Sequence, residues 1–333
     1  MASLPTPLPL SAATAEPNED LDVAQPVCVL VFNANDASGA GGLTADLTTI
    51  ASVGGHPLGV VTGAYVRDTS RIFEHFSFPD DCVDEQARAV LQDMPVQAIK
   101  VGFAGSPENL AVIAEISSDY PDLPIISYMP ELSWWRDDLL DQYLDAFREL
   151  VLPQTSVLVG NHSTLWRWLL PDWDASRSPS ARDLAMAADE LGVPYVLVTG
   201  MILPEQFLDN VLSTPQAVLA SHRFEMFDGS FNGAGDTLSA ALTALVASGN
   251  DLVSATQEAL EYLDHSLDNG FRPGMGNFLP DRMFWAQPED DELDADAEGE
   301  ETAPSAPALP LGRSVNEPLP LEGFVMPPHD TKH

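Results

Sequence analysis

Apolar and polar positions follow two rhythms along this chain. Short, almost wholly apolar runs recur, and most are followed by a longer stretch with apolar residues every three or four positions. VCVLVFNA (27–34) opens with no polar face, as a buried parallel strand requires. A glycine-rich turn and a helical stretch, ADLTTIASVG, come next, closed by Gly54 and Gly55. HPLGVVTGAYV (56–66) predicts a second strand. DDCVDEQARAVLQDM predicts a helix with Val83, Ala87, Val90 and Leu91 on its apolar side, and VQAIKVGF a strand. SPENLAVIAEISSDY predicts a helix with Ser106 as N-cap and Pro107 at the first helical position. LPIISYM, TSVLVGN and YVLVTG predict strands; WRDDLLDQYLDAFRELV predicts a long helix and SARDLAMAADELG a shorter one. FLDNVLST and QAVLASHRFEMF predict paired antiparallel strands. NGAGDTLSAALTALVASG and TQEALEYLDHSLDNG predict two closing helices. Strands alternating with helices imply an α/β domain with a mostly parallel sheet covered on both faces. Ligands in such domains bind at the carboxyl ends of the strands.

The two ends lack this patterning. MASLPTPLPLSAATAEPNED is proline-rich, and PEDDELDADAEGEETAPSAPALPLG is acidic and then rich in proline and alanine. The expected organisation is a disordered arm over 1–25, one folded domain over 26–286 and a disordered tail over 287–333. With 333 residues and 45% apolar content, the chain can bury a large core.

Charge narrows the partners. The net charge is −37, from 51 acidic and 14 basic residues, which excludes nucleic-acid binding through a basic face. No apolar run approaches the ~20 residues of a membrane helix, so no membrane partner is expected. Cys28 and Cys82 form neither a disulfide framework nor a zinc motif, and no signal peptide opens the chain. The expected location is the cytoplasm. Lys100 and Lys332 are the only lysines, so a bound phosphate would rely on backbone N–H groups, arginine or metal.

Two glycine-rich stretches carry candidate chemistry. NANDASGAGGLTADL (33–47) lacks the spacing of a dinucleotide fingerprint and of a Walker A loop. Its small residues serve either a tight turn or the close approach of a ligand. In NGAGDTLSAAL, the N–H groups of Gly233, Ala234 and Gly235 can converge on an anion at a helix N-terminus. Asp236 beside them is a candidate base for a hydroxyl attacking a phosphoryl group, or else a helix cap. The scattered histidines read as structural or surface residues. The Trp134–Trp135 and Trp166–Arg167–Trp168 clusters read as core or subunit-interface aromatics.

GAGDTLSAAL resembles the signature of ribokinase-like small-molecule kinases. ANDASGAGGLTADL resembles the GTDPSGGAGIQADL loop of hydroxymethylpyrimidine/phosphomethylpyrimidine kinases of thiamine biosynthesis. VVTGAYVRDT, VQAIKVGFAG, LPQTSVLVGN and FRPGMGNFLP are similar to further segments of those kinases, in the same order. The resemblance covers about residues 26–286 and implies a ribokinase-like three-layer sandwich. It implies phosphoryl transfer from ATP with Mg²⁺ to the hydroxymethyl group of 4-amino-5-hydroxymethyl-2-methylpyrimidine or to its monophosphate. Asp236 would be the base, with Gly233, Ala234 and Gly235 as the anion hole. Asp36, Gly41, Asp46, Tyr65, Arg67 and Phe103 would bind the substrate, and Asn161 and Thr199 would lie on the nucleotide side. A homodimer is implied on the same ground.

Several positions depart from the family pattern. Asp236 stands where the pyrimidine kinases often carry cysteine. Arg67 replaces a glutamine that bonds the ring, and arginine offers donors only. Tyr128–Met129 replace an aspartate–proline pair at a strand end, and Thr164 replaces a glutamate near Asn161, so the metal ligands stay unassigned. These departures leave two other readings, a pyridoxal/pyridoxine-type vitamin kinase and a degenerate, non-catalytic ligand-binding homologue. The role of Lys100 stays open.

Overall fold

A computed structural model describes residues 25–135, 139–174 and 177–286. The expected terminal arms, apart from Gln25, lie outside the described residues, as does the start of the expected long helix. Nine strands form one sheet in the order β3-β2-β1-β4-β5-β6-β7-β8-β9. They are β1 (Cys28–Asp36), β2 (His56–Arg67), β3 (Ile72–Ser77), β4 (Val96–Val101), β5 (Ile125–Met129), β6 (Val157–Asn161), β7 (Tyr195–Leu203), β8 (Phe207–Ser213) and β9 (Val218–Glu225). The run from β2 to β7 is parallel, whereas β3, β8 and β9 pair antiparallel.

Helices cover both faces. On one side lie α1 (Gly42–Ser52), α7 (Ala234–Ala247) and α8 (Leu252–Asp268). Ile50, Leu238, Ala241 and Leu260 from these helices are closed off from water against Val29, Val31, Val159 and Leu197 of the sheet. The other side carries α2 (Asp80–Leu91), α3 (Pro107–Asp119), α4 (Leu139–Ala146), α5 (His162–Leu169) and α6 (Ala181–Asp189). There Leu30, Phe32, Ile99, Ile113 and Leu184 share one core. Burying each such side chain contributes roughly 1.5–3 kcal/mol, so the apolar layers on both faces hold the helices to the sheet.

Ser106 caps α3 as expected, its side chain accepting from the Asn109 N–H at 3.2 Å. The expected pairing of residues 207–227 is found as β8 and β9. Two elements go beyond the sequence reading. β3 is an edge strand with most residues exposed, and so carries no inward apolar stripe. α5 is one short helix started by Asn161, whose side chain accepts from the Ser163 N–H at 3.0 Å. The long helix is also interrupted. After α4 the backbone widens over Phe147–Val151 and then tightens over Leu152–Gln154. Pro153 has no N–H to continue an α-helical ladder, and the wide turn buries both Phe147 and Val151.

The strand order reverses at β1, whose neighbours are β2 and β4. Their carboxyl ends therefore diverge and leave a crevice, the place where α/β sheets hold ligands.

Candidate active site

Two loops meet over this crevice. The first, residues 37–41, leaves β1 and enters α1; the second, residues 226–233, enters α7. Gly233 has φ +81°, a left-handed conformation that favours glycine, and a Cβ there would stand 1.7 Å from the Ala40 carbonyl oxygen. Arg282 locks the contact. Its guanidinium donates to the carbonyls of Gly39 (3.1 Å) and Ala40 (2.6 Å) and to the Thr237 hydroxyl (2.9 Å). Burial works against the Arg282 charge, while Asp236, Asp46 and Asp36 support it.

Asp236 does not cap α7. Gly233 is the N-cap residue and makes no side-chain cap bond. The Asp236 carboxylate instead turns towards α1 and the sheet. It accepts from the Gly42 N–H at 3.0 Å and the Asn33 amide at 3.1 Å, and the Lys100 ammonium lies 3.4 Å away. Its side chain is 16% exposed, so the buried network still leaves a face open. Below it, Lys100 and Asp46 are wholly buried and 2.6 Å apart, and Asn33 bridges both carboxylates. Burial pushes Asp46 up to about 7, against the pull of Lys100 and with a smaller push from Asp236.

A cavity of about 370 Å³ opens above Asp236. Gly42, Tyr65, Arg67, Tyr128, Glu131, Trp134 and Phe231 are among its lining residues. Tyr65 stacks on Phe103 at 5.4 Å and meets Trp134 edge-on at 5.8 Å. The Arg67 guanidinium stands 3.4 Å from the Asp36 carboxylate. Glu131 is held by Arg167, by the Ser133 N–H at 2.8 Å and by the Thr164 hydroxyl at 3.4 Å. Partial burial opposes the Glu131 charge, but these bonds hold its carboxyl below the usual range.

The expected site residues thus fall into three groups. Asp236, Gly233, Tyr65 and Arg67 line the cavity, and Gly41 and Gly235 adjoin it through Asp236 and Tyr128. Asp36, Asp46 and Phe103 are buried behind its wall, each at 1% exposure or less, where they brace other groups. Asp36 accepts from the N–H groups of Ser38 and Gly41 and so shapes the first loop. Asn161 and Thr199 pair across β6 and β7, away from this cavity. Sequence reasoning missed Asn33, Glu131 and Arg282, and assigned Trp134 to the core or an interface. A second cleft of about 530 Å³ lies beyond Glu131, between α4 and α5. Among the described residues, no group of three or more metal-ligating side chains converges, and no helix is long and apolar enough to cross a membrane.

The same architecture occurs in solved kinases. Bacillus subtilis pyridoxal kinase in an ADP complex matches 78% of this chain and 99% of its own, with a TM-score of 0.70 at 20% identity. Clostridium difficile phosphomethylpyrimidine kinase matches 72% of this chain and 99% of its own, with a TM-score of 0.59 at 20% identity. The fold is thus the ribokinase-like α/β fold. By sequence, a hydroxymethylpyrimidine/phosphomethylpyrimidine kinase of Mycobacterium leprae is 27% identical over 259 residues, covering 76% of this chain and 92% of that protein. The model of the phosphomethylpyrimidine kinase family matches residues 36–281, and the chain belongs to that phosphotransferase family.

Proposed function

We propose that this chain transfers the γ-phosphoryl group of ATP to the hydroxymethyl group, or to the monophosphate, of 4-amino-5-hydroxymethyl-2-methylpyrimidine in thiamine biosynthesis. The observation that carries the proposal is the placement of Asp236. Its carboxylate lies at the N-terminus of α7, beside Gly233, Ala234 and Gly235, and lines a cavity walled by Tyr65, Trp134 and Phe231. The first turn of a helix leaves its N–H groups without intrahelical acceptors, and they attract phosphate oxygens. A pyrimidine fits the aromatic wall. The acceptor hydroxyl gives its proton to Asp236 as its oxygen bonds the γ-phosphorus, and the bond to the ADP oxygen breaks. Asn161, which ends β6, and Thr199, its partner within β7, are assigned to the nucleotide side.

Mg²⁺ accompanies the ATP in this reading. Such ions are commonly held by one or two carboxylates and the substrate phosphates. Glu131 is the cavity carboxylate left to meet the ion, which would neutralise phosphate charge.

A coupled ADP-release assay tests the proposal with the pyrimidine alcohol, its monophosphate and pyridoxal. Turnover on either pyrimidine, abolished in Asp236→Asn, is expected. Turnover on pyridoxal alone moves the chain to the second reading, which the likeness in fold to pyridoxal kinases favours. Ligand binding without turnover on any of the three leaves a non-catalytic homologue.

A further inference from the structure

Tyr128 is the last but one residue of β5, at a position where the family pattern has a carboxylate. Its ring packs directly on the start of α7. A Cβ on Gly235 would stand 2.2 Å from the Tyr128 hydroxyl oxygen and 2.3 Å from Cζ. Glycine at 235 is therefore demanded by this contact and not by backbone conformation, since Gly235 has no positive φ. The Lys100 ammonium lies 5.6 Å from the centre of the same ring. Together, Gly235 and Lys100 fix where the phenol can point.

The hydroxyl is uncommitted. Buried tyrosine hydroxyls usually find a partner. That of Tyr143 accepts from the Ala104 N–H at 3.1 Å, and that of Tyr262 donates to the Arg282 carbonyl at 2.7 Å. Among the described residues, the Tyr128 hydroxyl bonds to none, and it is not sealed from solvent. Tyr128 lines the cavity together with Gly233 and Asp236. Burial, with Asp236, Asp46 and Glu131 nearby, pushes its titration upward, so the phenol stays protonated and remains a donor.

The two buried cations beside this point are otherwise engaged. Lys100 is paired with Asp46, and Arg282 is spent on the Gly39 and Ala40 carbonyls. An anion at α7 thus meets backbone N–H groups and one aimed hydroxyl, with Arg67 and Arg71 elsewhere on the cavity wall.

We propose that Tyr128 is a further catalytic residue: its hydroxyl donates a hydrogen bond to the phosphoryl group in flight over the N-terminus of α7. The proposal rests on the kinase reading above. Tyr128 exchanges no proton in the step; the acceptor proton still goes to Asp236. The hydroxyl acts on charge that develops at the phosphoryl oxygens, where one preorganised donor is worth on the order of 10²-fold in kcat.

Tyr128→Phe removes the hydroxyl and keeps the ring that packs on Gly235. Parent, Tyr128→Phe and Asp236→Asn are assayed together for ADP release on both pyrimidines and pyridoxal, with thermal melts of each. The expected result is a fall in kcat on the order of 10²-fold in Tyr128→Phe, with KM for ATP and acceptor and the melting temperature nearly unchanged. A Tyr128→Phe enzyme with kcat near that of the parent overturns the proposal alone. So does a rise confined to the acceptor KM, which would make Tyr128 a binding residue. A parent that transfers phosphate to no acceptor overturns the kinase reading and this proposal together.

Discussion

The Lys100 ammonium lies 2.6 Å from the Asp46 carboxylate, and neither side chain touches solvent. This ion pair sits directly beneath Asp236, which Lys100 also approaches at 3.4 Å. The underside of the site is therefore a charge network that tolerates little editing.

Removing one member of the pair strands the other. Lys100→Met is expected to destabilise the fold by about 3–5 kcal/mol, because Asp46 loses its counter-ion and must take up a proton to stay buried. Adding Asp46→Asn to Lys100→Met should restore a large part of that loss. Urea unfolding of the parent, both single variants and the double variant gives the coupling. Losses that simply add would show that the pair does not act as a unit.

Asp46 also makes stability depend on pH. Its carboxyl is raised from 3.8 to about 7 in the fold, so between those values the folded state holds a proton that the unfolded chain has lost. The Asp46 contribution to stability is present at low pH, declines as pH rises through that window and is flat above it. At 1.36 kcal/mol per unit, the decline is about 4 kcal/mol. The unfolding free energy of the parent minus that of Asp46→Asn, measured from pH 4 to 8, should fall by this order. A difference that stays level across the window would contradict the assignment.

Arg282 uses three donors at fixed angles, and a lysine cannot reproduce that fork. Arg282→Lys should cost about 2–3 kcal/mol and lower the melting temperature by several degrees. KM for the acceptor should rise as well, because the first loop loses its anchor to α7. A variant that melts with the parent would show that the loops hold each other without Arg282.

Two glycines separate conformation from contact. Gly39 (φ +72°) has nothing within 4 Å of a built Cβ, whereas Gly233 (φ +81°) faces the Ala40 carbonyl at 1.7 Å. Gly39→Ala should cost about 1 kcal/mol for its backbone alone. Gly233→Ala should cost markedly more and abolish activity, since the loops must part. Equal melting temperatures for the two variants would refute the loop contact as a determinant.

Much of this architecture was legible in the sequence, and the misses have physical causes. β1 and α7 announce themselves through local apolar runs and small residues, and the Ser106 cap lies wholly within four residues of chain. β3 was missed because an exposed edge strand has no buried face to betray it. The aspartate of the GAGD turn was found, but its partners were not. Asn33, Gly42 and Lys100 come from β1, α1 and β4, and only the adjacency of β1 and β4 brings them together. One signal was available: a lysine inside an apolar strand of so lysine-poor a chain needs a buried carboxylate. The tryptophan pair was read as one unit, yet Trp135 is core at 5% exposure while Trp134 lines the cavity.

The contact between the two loops also bears on how the protein is made. The Gly42 N–H reaches Asp236 across 194 residues, and Arg282 reaches Gly39 across 243. A ribosome must therefore release nearly the whole domain before the crevice can close. Domains with such distant pairings fold slowly, and their unfinished forms expose apolar sheet. Until Arg282, beyond α8, emerges, the first loop is not clasped to the turn that carries Asp236. Chains cut short before Arg282 would lack the clasp, and they would be left to the chaperones and proteases that clear incomplete products.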